Sequence, residues 1–568
     1  MAVSTEKLSR GEQPDDVAVS AADGMLGPNP FVGLRPCDVL ATAQQIGVQA
    51  LRQPALWVEQ EAKLVRDLVA ALSGGTQCQP PQNDKRFADT AWRDNSLYRM
   101  TLQGYLAWRD ALAGFVDRST LEPKTKERAQ FVLSLFTDAM SPTNTLPGNP
   151  AALKKIVDSG GASLIGGLKN IVTDMLTNQG MPAQVDKTAF EVGKNLGTSR
   201  GDVVFRNEVL ELIQYAPATK QVYGRPQLIV PPQINKFYVF DLSEGKSIVD
   251  YLLKSEFQVF VVSWRNPTVE QAHWDLDTYV SALLDAIAAV RDITGSDDLN
   301  LHGACSGAMT ISALLGHLAS RGDKSVHAAT LMVAVLDSTA DSQLGLFATP
   351  EAVSAAKQNS MARGVLAGEE MGRVFAWMRP NDLVWTYWVN NYLLGKAPPA
   401  FDILYWNNDT TRLPAKLHGQ LLDIFTGNLF TKPRALSVRG TPIDLAEVTC
   451  DKYVVAGITD HITPWKGVYD SARLFGGDTR FVLSSSGHIQ SLINPPGNPK
   501  SKFYLNPDLS TNADAWLAGA QAEGASWWDN WRDWLAARSG ERRAAPAAPG
   551  NERYASLAAA PGTYVMQA

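Results

Sequence analysis

The chain has 568 residues, 45% of them apolar and 19% charged, with a net charge of −6. That length exceeds one ordinary core and implies two or more domains, and the acidic balance excludes the basic face of a nucleic-acid binder. No apolar run is long enough to span a bilayer, the first residues lack the order of a signal peptide, and four cysteines stand without metal-ligand or disulfide spacing. A cytoplasmic protein with no metal is expected. Residues 1–27 are polar, small and mixed in charge, and are expected to be disordered. Residues 28–196 carry helical spacing, as in Pro54–Leu72 and Asn95–Trp108, and predict a mostly helical N-terminal domain. From 197 to 536 short β-rich runs follow: Gln227–Val230, Gln258–Ser263, Leu299–His302, Ala328–Leu336, Lys452–Ala456 and Thr479–Leu483. Helical stretches such as Ser247–Lys254 and Trp274–Val290 alternate with them, which predicts a parallel sheet covered by helices. The alternation breaks at about 338–441, where Trp-, Tyr- and Asn-rich helical segments intervene. Residues 537–568 are rich in Arg, Ala and Pro and read as a flexible tail in which Pro561–Val565 could dock. Of fifteen tryptophans, eight cluster at 377–406 and 527–534; core packing is the plainer reading, an apolar surface for a greasy substrate or product the sharper one.

Within the β-rich region Gly303-Ala-Cys305-Ser-Gly307 has the spacing of a nucleophile elbow, with cysteine in place of the usual serine. A strand-like run precedes it and the helical Ala308–Ala319 follows, the order such an elbow requires. This predicts an α/β-hydrolase fold with 338–441 as a helical lid over the nucleophile. A cysteine nucleophile needs a base and the base an orienting acid, in the chain order nucleophile, acid, histidine. Asp460 falls just past one strand and His488 just past the next, so Cys305, Asp460 and His488 are the candidate nucleophile, orienter and general base. Asp337 is a rival acid, and Asp460 could instead close a turn. His317 and His327 read as helix or strand filler, His302 as packed, His273 as a helix start, and His418 falls in the insertion. His461 could touch substrate or support the acid. The oxyanion needs two backbone donors: one from Ser306, the other from Gln233, Ile234 or Asn235, because Pro231 and Pro232 have no N–H. Ile234 is favoured.

Several motifs carry a resemblance. Val230-Pro-Pro-Gln-Ile-Asn-Lys-Phe-Tyr-Val-Phe-Asp-Leu242, Val261–Pro267, Gly303–Gly307, Asn381–Trp385 with Trp388–Gly395, Gly457–Trp465 and Ser486–Gln490 resemble polyhydroxyalkanoate synthases, in order, from about residue 30 onward. Length and the closing Ala-Pro-Gly-Thr-Tyr-Val are most similar to the class II, medium-chain enzymes. The resemblance implies a catalytic Cys-Asp-His set falling on Cys305, Asp460 and His488. It implies (R)-3-hydroxyacyl-CoA as substrate, polyester as product, CoA as leaving group and no separate cofactor. It also implies a homodimer attached to polymer granules. Ala308 stands where the family leads one to expect a second glycine. The competing readings are a thioesterase or depolymerase-like hydrolase with the same triad, and a non-catalytic granule-coat protein.

Overall fold

The structure, a computed structural model, describes residues 36–74, 78–81, 84–339, 345–368, 380–460 and 462–568. The expected disordered stretch 1–27, Trp377 and His461 lie outside the described residues. The chain divides into two compact units, one of residues 36–186 with 380–400, the other of 187–368 with 401–568.

The first unit is helical. Its main elements are α1 (Pro36–Arg52), α2 (Pro54–Leu72), α3 (Ser96–Arg118), α4 (Pro123–Ala139), α5 (Pro150–Asp158) and α6 (Ala162–Thr177). Prolines at the first position of α2, α4 and α5 start those helices, and the Asn95 carboxamide caps α3 by accepting from the N–H groups of Leu97 and Tyr98. Trp92, Leu106 and Ala107 anchor one buried cluster, Phe115, Val116 and Ala129 another. The middle of the expected lid belongs to this unit. The segment Trp388–Leu393 packs on α6, where a Cβ at Gly167 would lie 2.0 Å from the Tyr392 carbonyl oxygen. The Tyr392 hydroxyl donates to Asp174, and Asn170 donates to the carbonyls of Asn391 and Lys396, each at 2.9 Å. The insertion is therefore shared between two units rather than forming one separate lid, because its own backbone carbonyls are bound by side chains of an N-terminal helix.

The second unit is built on an eleven-stranded sheet. Its strands are β1 (Gly201–Arg206), β2 (Leu210–Tyr215), β3 (Gln227–Val230), β4 (Val259–Trp264), β5 (Leu299–Ala304), β6 (Val326–Met332), β7 (Asp451–Gly457), β8 (Thr479–Ser484), β9 (Phe503–Leu505), β10 (Gln521–Glu523) and β11 (Ala558–Ala559). The spatial order is β10-β9-β8-β7-β6-β5-β3-β4-β2-β1-β11. The six strands from β8 to β4 pair in parallel, and the strands outside them pair antiparallel. Every residue of β3, β4 and β5 is buried, as expected of strands covered on both faces. Helices α7 (Leu276–Thr294) and α8 (Ser306–Ser320) pack on each other and on β5; α9 (Pro350–Arg363) and α10 (Ala415–Gly427) pair within the insertion.

The tryptophans of α11 (Trp527–Ala536) are core. Trp527, Trp528, Trp531 and Trp534 are buried, and the Trp531 indole donates to the Thr330 hydroxyl on β6. The C-terminal residues are not a flexible tail. Arg542–Ala544 pairs with Gln221–Tyr223, and β11 completes the sheet beyond β1. The Glu211 carboxylate on β2, wholly buried, accepts from the N–H groups of Thr563 and Tyr564 and from the Thr563 hydroxyl. The buried Lys236 ammonium donates to the carbonyls of Val565 and Gln567. Two buried charges thus satisfy the polar groups of a segment whose small, polar composition suggests disorder.

Candidate active site

β5 ends at Ala304 and α8 begins at Ser306, so Cys305 alone makes the turn, with φ 50° and ψ −124°. A side-chain-bearing residue adopts such a backbone only where its surroundings impose it. The Cys305 N–H donates to the Met332 carbonyl at the end of β6 (2.9 Å), and the Met309 N–H closes the first helical turn on the Cys305 carbonyl (3.1 Å). Strand and helix come too close for larger flanks. A Cβ on Gly307 would lie 2.5 Å from the carbonyl oxygens of Val230 and Pro231, and one on Gly303 2.9 Å from Ala308 Cα. Ala308 is fully buried there, and the elbow holds its form with alanine at that position.

Asp460 follows β7 and His488 follows β8, and the parallel pairing of those strands brings the two side chains together. His488 Nδ1 lies 2.7 Å from Asp460 Oδ2, and both side chains are buried. Asp460 Oδ1 accepts from the N–H groups of Ile462 (2.8 Å) and Thr463 (2.9 Å), while Oδ2 also accepts from the Thr463 hydroxyl (2.6 Å). Cys305 lies on the side of the ring away from Asp460 and, like Asp460, favours its charged form. Burial alone would raise the Asp460 pKa, but the charge and hydrogen bond of His488 and the donors of Thr463 outweigh it and hold the carboxyl below its ordinary value. Burial alone would lower the His488 pKa. The Asp460 carboxylate, its hydrogen bond and the contact with Cys305 prevail instead and push it up to about 10. The set can hold a proton on His488 between a sulfur and a carboxylate, out of water.

The rival residues stand elsewhere. Asp337 accepts from the Thr339 N–H and hydroxyl and from the Asn428 carboxamide. His302 is packed edge-on against Phe240 and Trp531, and burial drives its pKa down to about 3. His418 pairs with the Ser360 hydroxyl, His327 lies beside Asp298, His317 is buried on α8, and His273 is exposed. His461 lies outside the described residues. Thr463 was not singled out by the sequence; a hydroxyl three residues after the acid is a signal that could have found it.

The Ser306 N–H opens α8, where the helix dipole favours negative charge. On the facing loop the Gln233 N–H donates to the Ser306 hydroxyl (3.1 Å) and the Gln233 carboxamide to Thr310 (2.8 Å), so Gln233 is occupied. The Ile234 N–H makes no hydrogen bond to the described residues. Among the described residues no three or more His, Cys, Asp or Glu are grouped to hold a metal ion, and no helix is long and apolar enough to cross a membrane.

A parallel-centred sheet with a strained strand–turn–helix elbow after β5, and an acid and histidine after β7 and β8, defines the α/β-hydrolase fold. Consistent with this, residues 227–495 match the family described as alpha/beta hydrolase fold, and residues 83–252 match that described as Poly-beta-hydroxybutyrate polymerase (PhaC) N-terminus. The chain is 54% identical to Poly(3-hydroxyalkanoate) polymerase 1 of Ectopseudomonas oleovorans, over 97% of this chain and 99% of that one. It is 50% identical to polymerase 2 of the same organism (96% and 97% covered). It is 40% identical to the polymerase subunit PhaC of Cupriavidus necator (87% and 85% covered). The chain belongs to the poly(3-hydroxyalkanoate) polymerase family and is of the class II type.

Proposed function

We propose that this chain polymerises (R)-3-hydroxyacyl-CoA thioesters into polyhydroxyalkanoate through an acyl-cysteine on Cys305, with His488 as general base and Asp460 holding His488. The observation that carries the reading is the buried His488 ring held at 2.7 Å by Asp460, with Cys305 favouring its charged form from a strained elbow. Cys305 sulfur attacks the thioester carbonyl with the thiol proton already held on His488. The oxyanion is met by the N–H groups of Ser306 and Ile234. The C–S bond to CoA breaks, and His488 returns the proton to the leaving sulfur. One thioester replaces another, so the acyl group remains activated. The 3-hydroxyl of a monomer or chain end then attacks the acyl-cysteine, His488 accepts its proton, and Cys305 leaves as thiolate with one new ester made. Four hydrogen bonds from the described residues occupy the two oxygens of Asp460, which favours an orienting role over direct activation of the hydroxyl. CoA arrives as part of the substrate, and no resident cofactor enters any step. The setting we propose is cytoplasmic, as a homodimer at the surface of polyester granules.

The test pairs wild type and Cys305→Ala with (R)-3-hydroxydecanoyl-CoA and a four-carbon analogue, following CoA release and product mass. High-mass polyester lost with the cysteine is the expected result. Free hydroxy acid as sole product would make the chain a hydrolase, and no CoA release by wild type would leave a coat protein.

A further inference from the structure

The loop that faces the elbow is gripped from behind by one residue of the insertion. Thr411 is 2% exposed and stands just before α10. Its hydroxyl donates to the Gln233 carbonyl, and its N–H donates to the Ile234 carbonyl at 3.1 Å. In a trans peptide the C=O and the following N–H point in opposite directions. Two successive carbonyls drawn to Thr411 therefore turn the N–H groups of Ile234 and Asn235 away from it. Neither N–H hydrogen-bonds to a described residue. The same turn is pinned to the start of α8 by the Gln233 bonds to Ser306 and Thr310. The unused donors thus belong to a turn tied at one side to Thr411 and at the other to the helix that begins beside Cys305.

We propose that Thr411 is a positioning residue for the oxyanion hole: its hydroxyl fixes the Gln233–Ile234 peptide so that the Ile234 N–H, not the Gln233 carbonyl, faces the reacting carbonyl. The inference rests on Cys305 being the nucleophile. Thr411 touches no reacting atom. Without its hydroxyl the Gln233–Ile234 peptide is free to rotate, while the Thr411 N–H still holds the Ile234 carbonyl. One donor is misplaced and the remainder of the site is left standing.

Thr411→Val keeps the β-branched shape and removes the donor; Thr411→Ser keeps the donor and removes a methyl. In the full-length protein, kcat and KM for (R)-3-hydroxydecanoyl-CoA are measured by CoA release, alongside the rate of Cys305 alkylation by iodoacetamide, which passes through no oxyanion. Thr411→Val is expected to lose about 10–100-fold in kcat, less than outright deletion of a donor. Its KM and alkylation rate should stay within about three-fold of wild type, and Thr411→Ser should recover kcat to within about three-fold. Wild-type turnover in Thr411→Val, a serine variant as slow as the valine one, or alkylation falling in step with turnover would each overturn the proposal. If Thr411→Val does not fold, Thr411→Ala is held to the same criteria. Failure of the nucleophile assignment shows separately, as turnover that survives Cys305→Ala.

Discussion

Asp460→Asn tests the centre of the site with almost no change of shape. The carboxamide oxygen can still accept from Ile462 and Thr463, but its NH2 group then faces His488 Nδ1 where a carboxylate oxygen stood. The amide donates to Nδ1 and so fixes the proton on Nε2, the nitrogen that should receive the Cys305 proton. The electrostatic loss acts in the same direction. His488 is held at about 10 against an ordinary value of 6.5, a preference for the charged ring on the order of 5 kcal/mol, supplied chiefly by Asp460 against burial. With the carboxylate gone, burial dominates and leaves the ring neutral at pH 7. A fall of about 1,000-fold in kcat, equivalent to ~4 kcal/mol, is expected. The assay is steady-state CoA release from (R)-3-hydroxydecanoyl-CoA at pH 7, with circular dichroism to confirm that the variant is folded. A folded variant within about ten-fold of wild type would refute both the tautomer argument and the place of Asp460 in the set.

Three further outcomes follow from the same geometry. Because the His488 pKa is raised when folded, its contribution to stability is complete below pH 6.5 and is lost as pH climbs from 6.5 to about 10. The urea midpoint of wild type should therefore drop over that range more than that of His488→Gln, and parallel curves would contradict it. Gly307→Ala would push a methyl against the Val230 and Pro231 carbonyls at the root of the oxyanion loop, costing about 1–3 kcal/mol of stability. Thermal unfolding and kcat should fall together, and a neutral variant would show that the elbow is looser than described. Glu211→Gln removes the buried charge that binds Thr563 and Tyr564 and deprives Arg206 of its opposite charge, a loss of about 3 kcal/mol. Limited proteolysis within 545–560 should accelerate, and unchanged cleavage would count against the docking.

The parallel centre of the fold was legible because its strands are short, buried on every residue and separated by periodic helices. Gln227–Val230 was predicted with the bounds observed, and Leu299–His302 falls short of β5 by two residues, the glycine and alanine of the elbow. The set Cys305, Asp460 and His488 was legible for a related reason: each sits where a parallel strand ends, and strand ends can be counted from the sequence. β1 and β2 escaped notice, since the polar Asp202, Arg206, Glu211 and Gln214 interrupt their apolar pattern. The docking of 558–567 was hidden because its partners, Glu211 and Lys236, lie hundreds of residues away and read in sequence as surface charges. Thr463 and Thr411 were missed because a threonine that grips one carboxylate or two carbonyls looks like any other threonine. Its role is set by what the backbone brings within reach. The division of the insertion was equally hidden, since Gly166, Gly167 and Asn170 mark a close approach only once the segment that approaches is known.

The bond between Glu211 and Thr563 spans 352 residues, and its consequence lies in how the protein comes to be folded. β1 can pair with β2 soon after both are synthesised, but its outer edge waits for β11. During that wait the chain carries an unpaired strand edge and a carboxylate built to be buried, the combination that favours association between incomplete chains. Contacts of such long separation also close slowly. Any change that delays arrival of residues 558–567 should therefore appear first as a lower yield of properly folded protein in the cell, with the molecules that do fold still carrying an intact edge.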